Sequence, residues 1–204
     1  MTATVEGFQK KFSYHHGDLR ECLIAAGLHI LETEGTSKLS LRATARATGV
    51  SQAAPYSHFA DKEALLAAIA ETGFQRLALQ MAEDATGVRD ARARIEKLIL
   101  SYIRFARDNT ALFQLMSGHD IADIKKYPTL GMTAGKSYAL ISAALTARTS
   151  QDVETPFLTV AIWSLCHGLT GLIIDGRLNP ATFGTEDIEA FVSKTIGVFA
   201  PQLV

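Results

Sequence analysis

Three sets of side chains in this chain have types and spacings that invite a chemical reading. Gln52 stands in a short polar segment beside Ala53 and Ala54. A glutamine pairs bidentately with adenine in a DNA major groove, and alanine methyls pack on thymine methyls. Cys166 and His167 are neighbours and invite a nucleophile–base pairing. Neighbours on a helix point about 100° apart, and no third group stands ready to orient the base, so catalysis is not expected. A redox role for Cys166 also lacks support, because the flanking sequence is apolar and supplies no cation to lower the thiol pKa. His15 and His16 are adjacent but lack further ligands at zinc spacing, and Cys22 and Cys166 form no CxxC pair. No cofactor, metal or disulfide is expected.

The element that must position Gln52 runs from Ser40 to Lys62. Ser40 is a suitable N-cap. Leu41 and Ala45 fall one helical turn apart and face inward. Gly49 stops the helix, since a residue tolerant of positive φ ends one cheaply. Val50 anchors the turn and Ser51 caps a second helix, Gln52 to Phe59. A short helix, a glycine-containing turn and a short polar helix make a helix-turn-helix, whose second helix reads base edges from its N-terminal half. Base readout then falls to Ser51, Gln52, Ala53 and Ala54. Pro55 lies in the first turn and stiffens the second helix without breaking it. Phe59 is expected to pack inward.

The stretch GVSQAAPYSHFADKEALLAA resembles the N-terminal domain of the TetR family of bacterial transcriptional repressors. Gly49-Val50-Ser51, Tyr56, His58-Phe59, Lys62-Glu63 and Leu65-Leu66 carry the resemblance, which covers residues 14 to 80. It implies that Tyr56, His58 and Lys62 clamp DNA phosphates, with Ser40 and Thr44 as weaker contacts. Thr44 departs from the larger aliphatic residue usual there, and its hydroxyl is expected to bond a carbonyl one turn earlier. Further on, Trp163, His167 and Gly168 in AIWSLCHGLTGLII resemble the WHG-type ligand-binding and dimerisation domain. Trp163 and His167 share a helix face. Tyr102, Phe105, Phe113, Met116 and Tyr138 join them as expected pocket residues, being large and on inferred inner faces.

The remaining chain positions these groups. Residues 1–13 read as a flexible arm in which Lys10 and Lys11 are the cations. Helix patterns follow over Asp18–Glu34, from Asp61 as N-cap past Leu77, over Asp90–Asp108, over Thr110–Ser117 with Asn109 as its cap, over Thr133–Thr149 after a loop that ends at Pro128, from a capping Thr155 and first-turn Pro156 to Gly176, and from a capping Thr185 onward, the last with Ile188, Phe191, Val192, Ile196 and Phe199 as its stripe. Cys22 reads as a small buried apolar residue. The expected fold is all-α with about nine helices. Its expected domains are a helix-turn-helix domain over 14–76 and a ligand-binding and dimerisation domain over 77–204.

Composition sets the limits. At 204 residues, 48% apolar and 20% charged, the chain can bury a sizeable core. A net charge of −1 argues against a protein that coats DNA, not against a local basic footprint. No apolar leader is visible at the N-terminus. The apolar run Val160–Ile174 reads as too short for a bilayer and as a helix buried on most sides. Such a helix, with the wide stripe on the last one, predicts a homodimer that presents two recognition helices about one DNA turn apart. The expected partners are a double-stranded DNA operator, a small-molecule effector and a second copy, with no membrane, in a bacterial cytoplasm at the nucleoid.

Overall fold

Caps and breakers divide the chain into eight α-helices and three 3-10 turns, with no strand among the described residues, which are 19–146, 154–185 and 187–198 of a computed structural model. The expectations for Lys10, Lys11, His15, His16 and Phe199 lie outside those residues. The helices are α1 Leu19–Glu34, α2 Leu41–Thr48, α3 Lys62–Asp84, α4 Ala91–Asp108, α5 Thr110–Ser117, α6 Pro128–Thr146, α7 Thr155–Ile174 and α8 Ile188–Gly197. The chain divides into two compact units. Among the described residues the first holds 19–73 and 111–131, and the second holds 74–110, 132–146, 154–185 and 187–198. The division falls inside α3, between Gly73 and Phe74.

In the first unit, α1 packs on α2 and α2 on the 3-10 turn Ala54–Ser57. Leu23, Leu31, Leu39, Leu65, Ile69 and Leu112 are among its fully buried side chains. Gly27 lets α1 approach Ile69, since a Cβ there would lie 2.7 Å from Ile69 Cδ1. Gly73 does the same for α5, where a Cβ would meet Met116 Sδ at 2.5 Å. Asp61 caps α3 by accepting from Ala64 N–H at 2.8 Å. Tyr127 donates to Glu63 Oε1 at 3.2 Å and Thr129 to Glu71 Oε2 at 3.1 Å, tying 127–129 to α3. Cys22 is only half-buried, contrary to expectation, because the core face of α1 turns through Leu23, Ala26 and Ile30 instead.

In the second unit α4 packs against α7 and α8. Asp90 caps α4 by accepting from Ala93 N–H. Ile95, Leu98, Ile99, Ile103, Ile141, Ile162 and Val192 are buried in the core. Arg104 and Glu189 form an ion pair, and Ser193 donates to Glu96 Oε1 at 3.3 Å. Ser101 Oγ is the buried side-chain polar atom without a partner among the described residues.

Four boundaries differ from expectation. Pro128 begins α6 instead of ending a loop, because its fixed φ suits a first helical turn and its missing N–H costs nothing there. α7 starts with Glu154 in the cap position and no side-chain cap, so Thr155 is already helical. Asp187 caps α8 by accepting from Glu189 N–H, and Thr185 instead donates to the Asp187 carbonyl. Asn109 turns back to the Phe105 carbonyl and closes α4 rather than capping α5.

The length argument against a bilayer also fails. α7 has 20 residues and a mean hydropathy of 1.8 over 18 of them, enough to cross a membrane by length and composition. Nor is it buried on most sides in the single chain, since a third of that stretch is buried. Leu158, Ile162, Cys166 and Leu169 face the core, whereas Phe157 and Val160 are more than half exposed.

Candidate functional site

The first half of the helix-turn-helix follows local rules. Ser40 Oγ accepts from Ala43 N–H at 3.1 Å and starts α2. Gly49, at φ +73°, ends it with its N–H on the Arg46 carbonyl, and Val50 N–H reaches the Ala45 carbonyl at 3.1 Å. The second half does not form the expected helix over Gln52–Phe59. It is a turn at Gln52–Ala53 followed by the 3-10 turn Ala54–Ser57. Pro55 lacks an N–H, so the early bonds of an α-helix cannot close, and the segment tightens to i→i+3 bonds from Ala54 to Ser51, Tyr56 to Ala53 and His58 to Pro55. Ser51 engages this turn through its carbonyl and makes no side-chain cap.

Burial then sorts the expected contacts. Ser51, Gln52, Ala53, Tyr56, His58 and Lys62 are exposed, Ala54 is half-exposed, and Pro55 and Phe59 are buried. Six expected contacts are therefore open to solvent, while the proline and the phenylalanine between them are buried. Ser40 is half-buried and serves as a cap. Thr44 is a correction: it is fully buried, and its hydroxyl donates to the Leu41 carbonyl at 2.9 Å, so it faces the core and not a phosphate. Lys62 Nζ donates to the Thr36 carbonyl at 2.9 Å while its ammonium stays exposed. The arrangement exposes an amide of the kind that can pair with a base edge, together with phenol, imidazole and ammonium groups of the kind that can meet a phosphate.

Cations missed in the sequence lie on the same unit. Arg42 and Arg46 are exposed one turn apart on α2, and the Arg20 guanidinium lies 5.6 Å from the centroid of the Phe59 ring. The spacing of Arg42 and Arg46 is visible in the chain, but arginines on an outer helix face read as ordinary solvation until the face is seen to belong to a helix-turn-helix.

Of the seven expected pocket residues, four come together in the second unit. Tyr102 on α4, Tyr138 on α6 and Trp163 and His167 on α7 form an aromatic cluster. Trp163 meets Tyr102 edge-on at 5.4 Å and Tyr138 edge-on at 6.0 Å, and stacks with His167 at 6.3 Å. Tyr102 Oη lies 2.9 Å from His167 Nδ1. Burial, and after it the nearby Cys166, push the Tyr102 phenol far up, so it keeps its proton. Phe105 is buried in the same unit. Phe113 and Met116 fall in the first unit, where the room left by Gly73 takes the Met116 sulfur.

Cys166 and His167 diverge as their helix geometry requires, one fully buried and the other exposed. Burial pushes the Cys166 thiol far up, so it is protonated and inert. Among the described residues no cluster of histidine, cysteine and carboxylate side chains can hold a metal ion.

Comparison with known proteins matches both halves of the chain. Residues 23–69 match the family described as "Bacterial regulatory proteins, tetR family", and residues 95–199 match "Tetracyclin repressor-like, C-terminal domain". The nucleoid occlusion factor SlmA of Vibrio vulnificus (strain YJ016) is 34% identical over 105 residues, 49% of this chain and 52% of that protein. The chain thus spans about half the length of the curated relatives it matches. A solved protein of unknown function from Rhodococcus sp. RHA1 is 32% identical, with a TM-score of 0.78 covering 94% of this chain and 98% of that one. The TetR family transcriptional regulator PfmR from Thermus thermophilus shares the fold at 17% identity, with a TM-score of 0.57 over 72% of this chain and 84% of its own.

Proposed function

The chain belongs to the tetR family of bacterial regulatory proteins, and from that premise we propose that it is a homodimeric repressor released from a palindromic DNA operator by a small-molecule effector. The observation that carries the reading is the exposure of Ser51, Gln52, Ala53, Tyr56, His58 and Lys62 in the turn that follows α2, beside buried Pro55 and Phe59. Gln52 reads adenine, Ala53 and Ala54 touch thymine methyls, and Tyr56, His58 and Lys62 hold phosphates. The backbone and Ser40 fix the turn that aims them.

The second copy joins through α7 and α8. Phe157, Val160, Leu172 and Val198 are apolar and largely exposed on the single chain, and a partner copy supplies the burial they lack. The effector binds at the cluster of Tyr102, Tyr138, Trp163 and His167. It shifts the population towards a form whose two reading surfaces no longer match the half-sites, by no more than its difference in affinity for the two forms. No catalysis enters this reading, which sets the protein in a bacterial cytoplasm on DNA.

Selection of bound sequences from a random DNA pool tests it, with wild type and Gln52→Ala in parallel near physiological salt. A palindrome for wild type and a changed base preference for the variant are expected. No enrichment by ligand-stripped wild type would overturn the assignment of the surface, and a monomer mass by light scattering at micromolar concentration would overturn the dimer.

A further inference from the structure

The second unit carries a groove that none of the residues above explains. α3 presents Gln75, Ala78, Leu79 and Ala82 along one stripe, and α6 presents Lys136, Ala139 and Leu140 along another. Between them lies a groove of about 540 Å³, within the 300–1,000 Å³ typical of small-molecule sites. It exists because the stripes are built of small residues. Three of the seven lining side chains are single methyls, where leucines would fill the space. α6 buries another face, through Thr133, Ser137, Ile141 and Leu145, which leaves the Lys136 side open. Leu79 is 63% exposed at the groove, a large apolar side chain with little to cover it.

The chemistry of the lining names its occupant. Lys136 is the ionisable residue among those lining the groove, no carboxylate lines it, and Lys136 makes no ion pair among the described residues. The remaining wall is apolar except for Gln75. From Gln75 to Ala82 the α3 wall runs about 10 Å at 1.5 Å per residue. A protein partner does not fit, since a specific interface takes roughly 20–30 residues a side and this groove has seven. We propose that the α3–α6 groove binds a monoanionic amphiphile, a medium-length apolar chain ending in one carboxylate that Lys136 receives. Its role as a second effector, beside the ligand of the aromatic cluster, rests on the repressor reading above; its existence as a binding site does not.

Calorimetry on the full chain tests the site with decanoate, decanol and decyltrimethylammonium as probes. Decanoate is expected to bind wild type about fivefold more tightly than decanol, as an exposed ion pair allows. The cationic probe binds more weakly than either. Lys136→Gln removes the preference for decanoate and leaves decanol unchanged, whereas Lys136→Arg keeps the preference. Ala139→Phe fills the groove and weakens both; should that variant fail to fold, the surface substitutions at Lys136 still decide. Equal decanoate affinity for wild type and Lys136→Gln, or no decanoate binding by wild type, overturns the proposal. A second arm measures affinity for the selected DNA with and without decanoate. A loss in wild type that Lys136→Gln reduces supports the effector role, and decanoate binding without any change in DNA affinity refutes it. Failure to bind DNA without decanoate would instead refute the repressor reading, and the calorimetry would still decide the groove.

Discussion

Replacing Gly49 isolates one physical cause at the turn that aims the reading surface. Gly49 sits at φ +73°, and a Cβ added there meets no atom within 4 Å. Sterics with neighbours therefore drop out, and the cost of Gly49→Ala is the torsional one alone. An L-residue in the left-handed region loses roughly 1–2 kcal/mol. Stiffening the unfolded chain returns roughly 0.4–1 kcal/mol of that. The net loss is about 1 kcal/mol, a fall in Tm of about 2–4 °C for a chain of this size. Asparagine tolerates the left-handed region, so Gly49→Asn is expected to lose less than half as much. Valine is expected to lose more than alanine, because branching at Cβ makes positive φ worse. Thermal and urea unfolding of the three variants gives the ranking. Equal losses for alanine and asparagine would refute the torsional account, and no loss for alanine would show that the left-handed cap is absent in solution.

Four further outcomes follow from geometry already described. Thr44→Val is expected to leave DNA affinity within about twofold by fluorescence anisotropy, because the buried hydroxyl bonds only its own helix; a tenfold loss would return Thr44 to the interface. Lys62→Gln is expected to weaken DNA binding across sequences and lower the salt dependence of log K by about 0.9, read from a titration of salt. Ser101→Ala is expected to stabilise on the order of 1 kcal/mol in urea unfolding, since it removes a buried hydroxyl without a partner. For Cys166 the folded thiol pKa lies above the unfolded one, so its contribution is fully present below about pH 8.5 and is lost as pH rises. A thiol reagent near pH 8 should accordingly label half-buried Cys22 long before Cys166, and equal labelling of the two in the native protein would contradict the burial.

What can be read in advance is whatever depends on neighbours in sequence. Ser40 and Gly49 bound α2 because capping and left-handed termination are local, and the same holds for Asp61 on α3 and Asp90 on α4. The inward Phe59 and the back-bonded Thr44 are legible for the same reason. Competing local signals are harder. Pro55 reads as stiffening a helix, but its missing N–H tightens the whole segment into a 3-10 turn. Pro128 stands among glycines and threonines and looks like a loop end, although proline suits a helix start equally well. Thr155 and Thr185 give way to Glu154 and Asp187 because cap choice among adjacent candidates depends on where the chain enters the core. Large side chains alone cannot separate Phe113 and Met116 from the aromatic cluster, since size carries no information about which unit a helix joins. The α3–α6 groove leaves no mark at all: alanines at helical spacing are ordinary until two such stripes face each other across a gap.

The reading turn separates its frame from its vocabulary. Its shape rests on backbone bonds from Ala54, Tyr56 and His58, on buried Pro55 and Phe59, and on the Ser57 hydroxyl bonded to the Ala54 carbonyl. The exposed side chains of Ser51, Gln52, Ala53 and Tyr56 make no hydrogen bond among the described residues. Changes at those four positions are nearly free of folding cost, as surface positions away from special features generally are. If those side chains read DNA as proposed, a lineage duplicating this gene could respell its operator one letter at a time without passing through unfolded intermediates. A library randomised at the same four positions should for the same reason return mostly folded proteins with altered DNA preference.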